Sequence, residues 1–201
     1  MINSGAPSDS TPLEPEDLEG LRLKHITTRE ELNAAEFENI NAASIKYFSQ
    51  KPSQAKAPFS RDWFFKSHQE MFGRVWKWAG EKRKKELSIG VASYQIEPQM
   101  LNLTADLKTW EESRHDPLEC SARIHHRVVF IHPFVNGNGR WARFAANVYL
   151  FQRTGQIIKW PESELIIMSG FRSDYVLALK KADQGDLKDL IALHKKLAAS
   201  F

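Results

Sequence analysis

The stretch His-Pro-Phe-Val-Asn-Gly-Asn-Gly-Arg-Trp-Ala-Arg, residues 132–143, constrains this chain more than any other. It separates two segments of helical character and forces a break between them. Upstream, Ala122, Ile124, Val128, Val129 and Ile131 make a broad apolar face. Pro133 disfavours helical geometry in the residue before it, so His132 falls at a helix end. Downstream, Trp141, Phe144, Ala145, Val148 and Leu150 give residues 140–151 a second apolar helix, with Arg140 and Arg143 in its first turn. Gly137 and Gly139 allow backbone conformations closed to other residues, so that successive N–H groups point into one concavity at a helix N-terminus. Two arginines three apart share the face beside it, and a histidine lies on the other lip. Such a cradle suits an anion, and the simplest ligand is a polyphosphate. The competing reading is a glycine turn between core helices with solvated arginines.

These twelve residues resemble the Fic motif, His-x-Phe-x-(Asp/Glu)-Gly-Asn-Gly-Arg-x-x-Arg, at every defined position except Asn136. The chain is similar in particular to the Fic branch labelled mobile mystery protein B. It shares with that branch Ile-Thr-Thr-Arg at 26–29 followed by Glu-Leu-Asn at 31–33, Val-Trp-Lys-Trp-Ala-Gly at 75–80, and Ala-Asp-Gln-Gly-Asp at 182–186. The resemblance implies an all-α Fic fold, a helical bundle around a central helix-loop-helix active site with a small β-hairpin flap. It also implies transfer of AMP from ATP, with Mg²⁺ or Mn²⁺, to a Ser, Thr or Tyr hydroxyl of a target protein, this chain itself included.

On that resemblance His132 is the general base, and an imidazole with a pKa near 6.5 suits the task at neutral pH. Phe134 turns inward and anchors the loop. Backbone N–H groups around Gly137, Asn138 and Gly139, with the Asn138 side chain, hold α- and β-phosphate oxygens, while Arg140 and Arg143 take the β- and γ-phosphates. Asn136 stands where the family has a metal-binding acid, so it gives Mg²⁺ a neutral carbonyl oxygen and a weaker hold. Two other readings stay open: a nucleotide-binding interaction protein with little transfer activity, and a transferase of another phosphate-containing group.

Along the rest of the chain, Pro7, Pro12 and Pro15 predict a mobile tail over residues 1–15, followed by a single domain over 16–201. Thr28 and Glu31 have the spacing of a capping box ahead of a long helix, residues 28–48, with Leu32, Ala35, Phe37, Ile40, Ala43 and Ile45. The family places an inhibitory helix with the pattern (Ser/Thr)-x-x-x-Glu-(Gly/Asn) against the site, its glutamate pairing with the motif's last arginine. Glu38-Asn39 matches the end of that pattern, Ala34 replaces its Ser/Thr, and Glu36 is a rival. Residues 61–75 carry Trp63, Phe64, Phe65, His68, Met71 and Phe72 at largely helical spacing, with His68 read as a packed histidine. In residues 86–98, Leu87, Ile89 and Val91 alternate around Gly90 and continue to Tyr94 and Ile96, which predicts a β-hairpin. By the resemblance this is the flap, with Ile89, Gly90, Val91 and Tyr94 holding the target segment through main-chain pairing. Residues 100–113, 165–181 and 187–197 read as further helices, with Gly185-Asp186 as a turn.

Composition narrows the classes. At 201 residues and 42% hydrophobic the chain supports one domain with a sizeable core, and it contains no apolar run of membrane-spanning length. A single cysteine, Cys120, and a beginning without a secretory pattern predict the cytoplasm. The net charge of +3 comes from 28 basic and 25 acidic residues spread along the chain, which does not demand nucleic acid. Residues 82–85, Lys-Arg-Lys-Lys, are read as a solvated or substrate-facing turn. His125, His126 and His132 do not make a metal site, since adjacent histidines on a helix point about 100° apart. The sequence does not name the target or the oligomeric state.

Overall fold

The computed structural model describes Leu13 and residues 18–166 and 168–201. The predicted mobile tail, residues 1–15, lies outside these apart from Leu13. The described residues are mainly helical, in the order α1 (Arg29–Phe48), α2 (Arg61–Phe72), α3 (Ile96–Glu112), α4 (Pro117–Ile131), α5 (Asn138–Thr154), β1 (Gln156–Ile158), α6 (Glu162–Ile166), α7 (Gly170–Asp183), α8 (Lys188–Leu197) and β2 (Ala198–Ser200). Local chemistry sets most of these ends. Thr28 and Glu31 form the capping box of α1, each side chain accepting from the other's end of the turn. Asp116 caps α4, accepting from the Leu118 and Glu119 N–H groups, and Pro117 follows at the first helical position. Gly155 ends α5 in the left-handed conformation.

α4 and α5 pack against each other at the centre, with α2 and α1 on one side and α8 and α7 on the other. Phe64, Phe72, Ile124, Ile131, Phe134, Trp141 and Tyr149 fill the interior between them. β1 and β2 pair antiparallel, Gln156 opposite Ser200 and Ile158 opposite Ala198. The residue pattern gives no warning of that strand, because Ala-Ala-Ser has little strand preference and is extended here by pairing.

Three expectations need correction. Residues 86–98 form no hairpin. The stretch is an irregular loop followed by a 3₁₀ turn (Ser93–Gln95) that leads into α3. Its alternation has no apolar layer to meet, since Leu87 is 39% and Ile89 58% exposed. Side chains hold the loop instead: the Arg83 guanidinium donates to the carbonyls of Lys85 and Val91, and the Glu86 carboxylate accepts from Ser93 N–H at 2.9 Å and its hydroxyl at 2.6 Å. Second, residues 165–181 are not one helix, because Ser169 caps a new start by accepting from Arg172 N–H at 3.0 Å. Third, α1 buries Leu32, Glu36, Asn39, Ala43 and Tyr47, while Phe37 and Ile45 face outward at 70% and 61% exposure.

Candidate active site

The break between α4 and α5 builds the site. His132 closes α4 in the left-handed conformation (φ 52°), its N–H donating to the Val128 carbonyl at 3.1 Å. Gly137 (φ 81°) opens α5. A side chain there would strike the Phe72 ring, with its Cβ 2.8 Å from the nearest ring atoms. The first intrahelical bond of α5 runs from Trp141 N–H to the Gly137 carbonyl. The N–H groups of Asn138, Gly139 and Arg140 lie ahead of it at the positive end of the helix dipole. They face a hollow of about 300 Å³ bounded by His132, Asn136, Arg140, Arg143, Glu162 and Leu165. Beside it a cleft of about 1350 Å³ runs past Arg140 and Arg143 to Glu36, Trp76 and Trp160.

The loop is braced from below. The Phe134 ring is fully buried, stacked on His68 at 3.6 Å between centroids and edge-on to Trp141 at 4.8 Å. His68 accepts the Gly80 N–H at Nδ1 (3.0 Å). Burial, opposed by the Asn136 carbonyl and aided by Arg140, pushes its pKa down to about 3, so the ring is neutral. Its single proton therefore sits on Nε2 and donates to the Asn136 carbonyl at 3.1 Å. The helical pattern marked His68 only as a packed residue; here it holds the loop backbone.

Asn138 also serves the loop. Its amide oxygen accepts from Phe134 N–H (3.0 Å) and its amide nitrogen donates to the Phe134 carbonyl (2.9 Å), and the residue is 2% exposed. The expectation that this side chain holds phosphate is corrected: the amide is spent inside the loop, and only the Asn138 backbone N–H faces the hollow. The Asn136 side chain turns back in the same way, its Oδ1 accepting from Gly137 N–H at 2.6 Å. Of the predicted cradle donors, this leaves Gly137 N–H occupied and those of Asn138 and Gly139 open.

Arg83, buried within the basic run at 2% exposure, ties the loop of residues 82–92 to the site. Its Nε donates to the His132 carbonyl at 2.8 Å and its backbone N–H to the Pro133 carbonyl at 2.8 Å. Val91 N–H reaches the Ile131 carbonyl at 3.4 Å. The loop thus crosses directly over His132 although it lacks the predicted strands. Gly90 makes the closest approach, at φ 91°, and a Cβ there would lie 2.5 Å from His132 Cβ. Gly90→Ala is expected to lower the unfolding free energy by about 1–3 kcal/mol through strain and crowding, read by urea denaturation. Ile89 and Tyr94 are exposed beside it.

His132 is half-buried, and burial lowers its pKa, with the Val129 carbonyl opposing and the Arg83 cation adding to the shift. The imidazole is consequently neutral at pH 7 and able to accept a proton. Both arginines of the loop meet carboxylates. Arg140 Nη1 donates to Glu36 Oε2 at 2.6 Å, and its guanidinium lies 4.9 Å from the centre of the Phe72 ring. Glu36 is itself fixed by Trp76 Nε1 at 2.6 Å. Arg143 is gripped by Glu162 in a fork, Nε to Oε1 at 2.8 Å and Nη2 to Oε2 at 2.5 Å.

Of the two glutamates singled out on α1, the structure brings Glu36 to the site and leaves Glu38 exposed. Two residues turn a helix by about 200°, so the pair cannot share a face. The arginine met is Arg140, whereas the resemblance implied Arg143. Glu162 was missed altogether, since its role depends on how the chain folds back after β1. Among the described residues no group of three His, Cys, Asp or Glu side chains could hold a metal ion. His125 and His126 point apart, the former into a buried network and the latter to Asp183 at 2.9 Å.

Comparison with known proteins agrees with this architecture. The model of the Fic/DOC family matches residues 58–150. Protein adenylyltransferase fic-1 of Caenorhabditis briggsae is 32% identical over 117 residues, covering 56% of this chain and 22% of that protein. Protein adenylyltransferase Fic of Drosophila melanogaster is 32% identical over 116 residues, with the same coverage. The chain therefore spans about a fifth of the length of these curated relatives. Among solved structures, Fic-1 (residues 134–508) from C. elegans superposes with a TM-score of 0.71 at 21% identity, over 92% of this chain and 55% of that one. BepC, a VirB-translocated Bartonella effector from Bartonella tribocorum solved with AMPPNP bound, gives 0.64 at 16% identity, over 98% and 96%.

Proposed function

Because the chain belongs to the Fic/DOC family, we propose that it is a protein adenylyltransferase, moving AMP from ATP to a Ser, Thr or Tyr hydroxyl of a target protein. One observation carries this reading above the others. A neutral, half-buried imidazole stands across a hollow from open helix N-terminal N–H groups, and the two arginines beside them are paired with carboxylates, the groups that phosphates would replace. The naming of relatives as protein adenylyltransferases supports the same chemistry, as does AMPPNP in a protein of the same fold.

In this reaction the target hydroxyl oxygen attacks the α-phosphorus of ATP while its proton passes to His132. The bond from the α-phosphorus to the α,β-bridging oxygen breaks, and pyrophosphate leaves. The N–H groups of Asn138 and Gly139 meet the oxygens on which charge grows, and Arg140 and Arg143 meet the departing pyrophosphate. The loop carrying Ile89, Gly90, Val91 and Tyr94 lies over His132; with the Val91 N–H and carbonyl already bonded to Ile131 and Arg83, the main chain left for the target segment is that of Ile89 and Gly90. Glu36 acts as a brake, holding Arg140 away from the donor.

A divalent ion fits this site poorly. Asn136 offers one neutral carbonyl oxygen, already accepting from Gly137 N–H, and hard cations prefer carboxylates plus phosphates. Any Mg²⁺ or Mn²⁺ would enter chiefly on the phosphates of ATP. Asn136→Asp is accordingly expected to lower the Mg²⁺ concentration for half-maximal transfer several-fold, read by titrating the metal at fixed ATP. Identical metal dependence in the two proteins would show that position 136 does not touch the ion. Asn136 also favours the rival reading, a nucleotide-binding interaction protein with little transfer. Intact-mass measurement after incubation with a panel of nucleotides and Mg²⁺ or Mn²⁺ separates the two: addition of one AMP to this chain or a supplied target supports transfer. Nucleotide binding with no covalent product on any candidate target supports the rival, and addition of a different phosphate-containing group redefines the donor.

A further inference from the structure

Arg83 is a buried cation whose hydrogen bonds run to backbone. Its side chain is 1% exposed, and the one carboxylate within 4 Å of it among the described residues, that of Glu86, lies 3.6 Å from Nη1, is 61% exposed and is engaged by Ser93. The guanidinium instead meets three carbonyls. Nε donates to that of His132 at 2.8 Å, Nη1 to that of Lys85 at 3.1 Å, and Nη2 to that of Val91. A cation away from water is costly unless its donors are met. Here they are met, and the His132 carbonyl stands at the C-terminal end of α4, where the helix dipole favours positive charge. A loop that needed only packing would be held as well by an apolar side chain.

The places of those carbonyls give the bonds their consequence. His132 carries the imidazole, and its left-handed backbone is one that a residue with a side chain keeps only where its surroundings enforce it. Lys85 and Val91 flank residues 86–90, the part of the loop that bears Ile89 and Gly90. The Arg83 backbone N–H adds a fourth tie, to the Pro133 carbonyl at 2.8 Å, and Val91 N–H returns to the Ile131 carbonyl at 3.4 Å. A guanidinium is planar and its donors diverge at fixed angles, so the loop and the His132 backbone are held as one unit. Between the ties, a Cβ on Gly90 would lie 2.5 Å from His132 Cβ and 3.0 Å from Arg83 Nη2. The main chain of Ile89 and Gly90 is thereby kept at a set distance from the base.

We propose that Arg83 is a positioning residue for transfer, one planar guanidinium fixing the spacing between the His132 backbone and the Ile89–Gly90 main chain on which the target segment lies. That the loop receives the target rests on the proposed function; the bridge between loop and base does not.

The experiment uses the full chain as Arg83→Met, which removes the donors and keeps the stem, and as Arg83→Lys, which keeps the charge and loses the fork. Amide hydrogen exchange, read by NMR without nucleotide, is expected to speed in both variants about tenfold more at Val91 than at the centre of α5. Equal acceleration at the two places, or none, overturns the bridge. AMP transfer to a His132→Ala chain supplied as the target gives the second readout. Both variants should lower kcat/KM for that target by about 10²-fold, the cost of a small misplacement of reacting groups, while the Kd for ATP measured by calorimetry stays unchanged. Parallel loss of ATP affinity marks a merely structural effect, and full transfer by Arg83→Lys shows that charge alone suffices; either result overturns the role. A native chain that binds no ATP refutes the proposed function, and one that binds ATP without modifying this target favours the rival reading; in both cases the exchange measurement decides the bridge.

Discussion

His132→Ala is expected to cut AMP transfer by about 10²–10⁴-fold, the range that a positioned general base contributes. Nucleotide binding should change little, because the N–H groups of α5 and the two arginines do not depend on the imidazole. Measuring ATP affinity alongside the yield of AMP-modified product therefore separates loss of the base from loss of the site. Equal losses in both would indicate that His132 shapes the loop and does not accept the proton. The pH profile gives a second check. Burial and the Arg83 cation lower the imidazole pKa below its ordinary 6.5, so the base stays neutral as pH falls through 6.5. The acid limb of kcat/KM is expected below pH 6.5, and a limb above that value would contradict the environment described here.

How much of this was legible in the residues follows from which interactions are local. The loop at residues 132–143 could be read because Pro133 and Gly137 dictate backbone shape within a few residues, and the same holds for the Thr28–Glu31 capping box. Arg83 could not be found in this way. Four consecutive cations look like a solvated turn, and only the tertiary position of the loop shows that one of them is buried against the His132 carbonyl. The predicted hairpin failed because alternation of Leu87, Ile89 and Val91 signals a strand only when a second strand and an apolar layer exist to receive it. Glu162 reaches Arg143 through the fold of β1 and α6, across 19 residues. The confusion between Glu36 and Glu38 had a remedy in the sequence: Leu32, Ala43 and Tyr47 share a stripe that passes through position 36 and misses 38. The outward-facing Phe37 and Ile45 obscured it, being apolar residues on the wrong face.

Glu36→Gly is expected to raise AMP transfer by about 10–100-fold, whereas Glu38→Gly leaves it unchanged. The first figure follows from the bond that ATP must displace. A charge-assisted hydrogen bond contributes about 1.5–3 kcal/mol, and each 1.4 kcal/mol is tenfold in an equilibrium constant. Glu36 is well placed to impose that penalty. Its carboxylate is held by Trp76, and α1 is fastened to the end of α2 by Asn39, which donates to the Glu70 carbonyl at 2.8 Å and accepts from Arg74 N–H at 2.9 Å. The carboxylate thus cannot drift away from Arg140 without breaking contacts that have nothing to do with nucleotide. Glycine at this position costs the helix about 1 kcal/mol relative to alanine, so Glu36→Gln serves as the companion variant. It keeps a side-chain oxygen for Trp76 while removing the negative charge, and it should activate without loss of thermal stability beyond a few degrees. Activation by Glu38→Gly with both Glu36 variants inert would instead place the brake on the exposed face of α1, where the structure provides no arginine for it to hold.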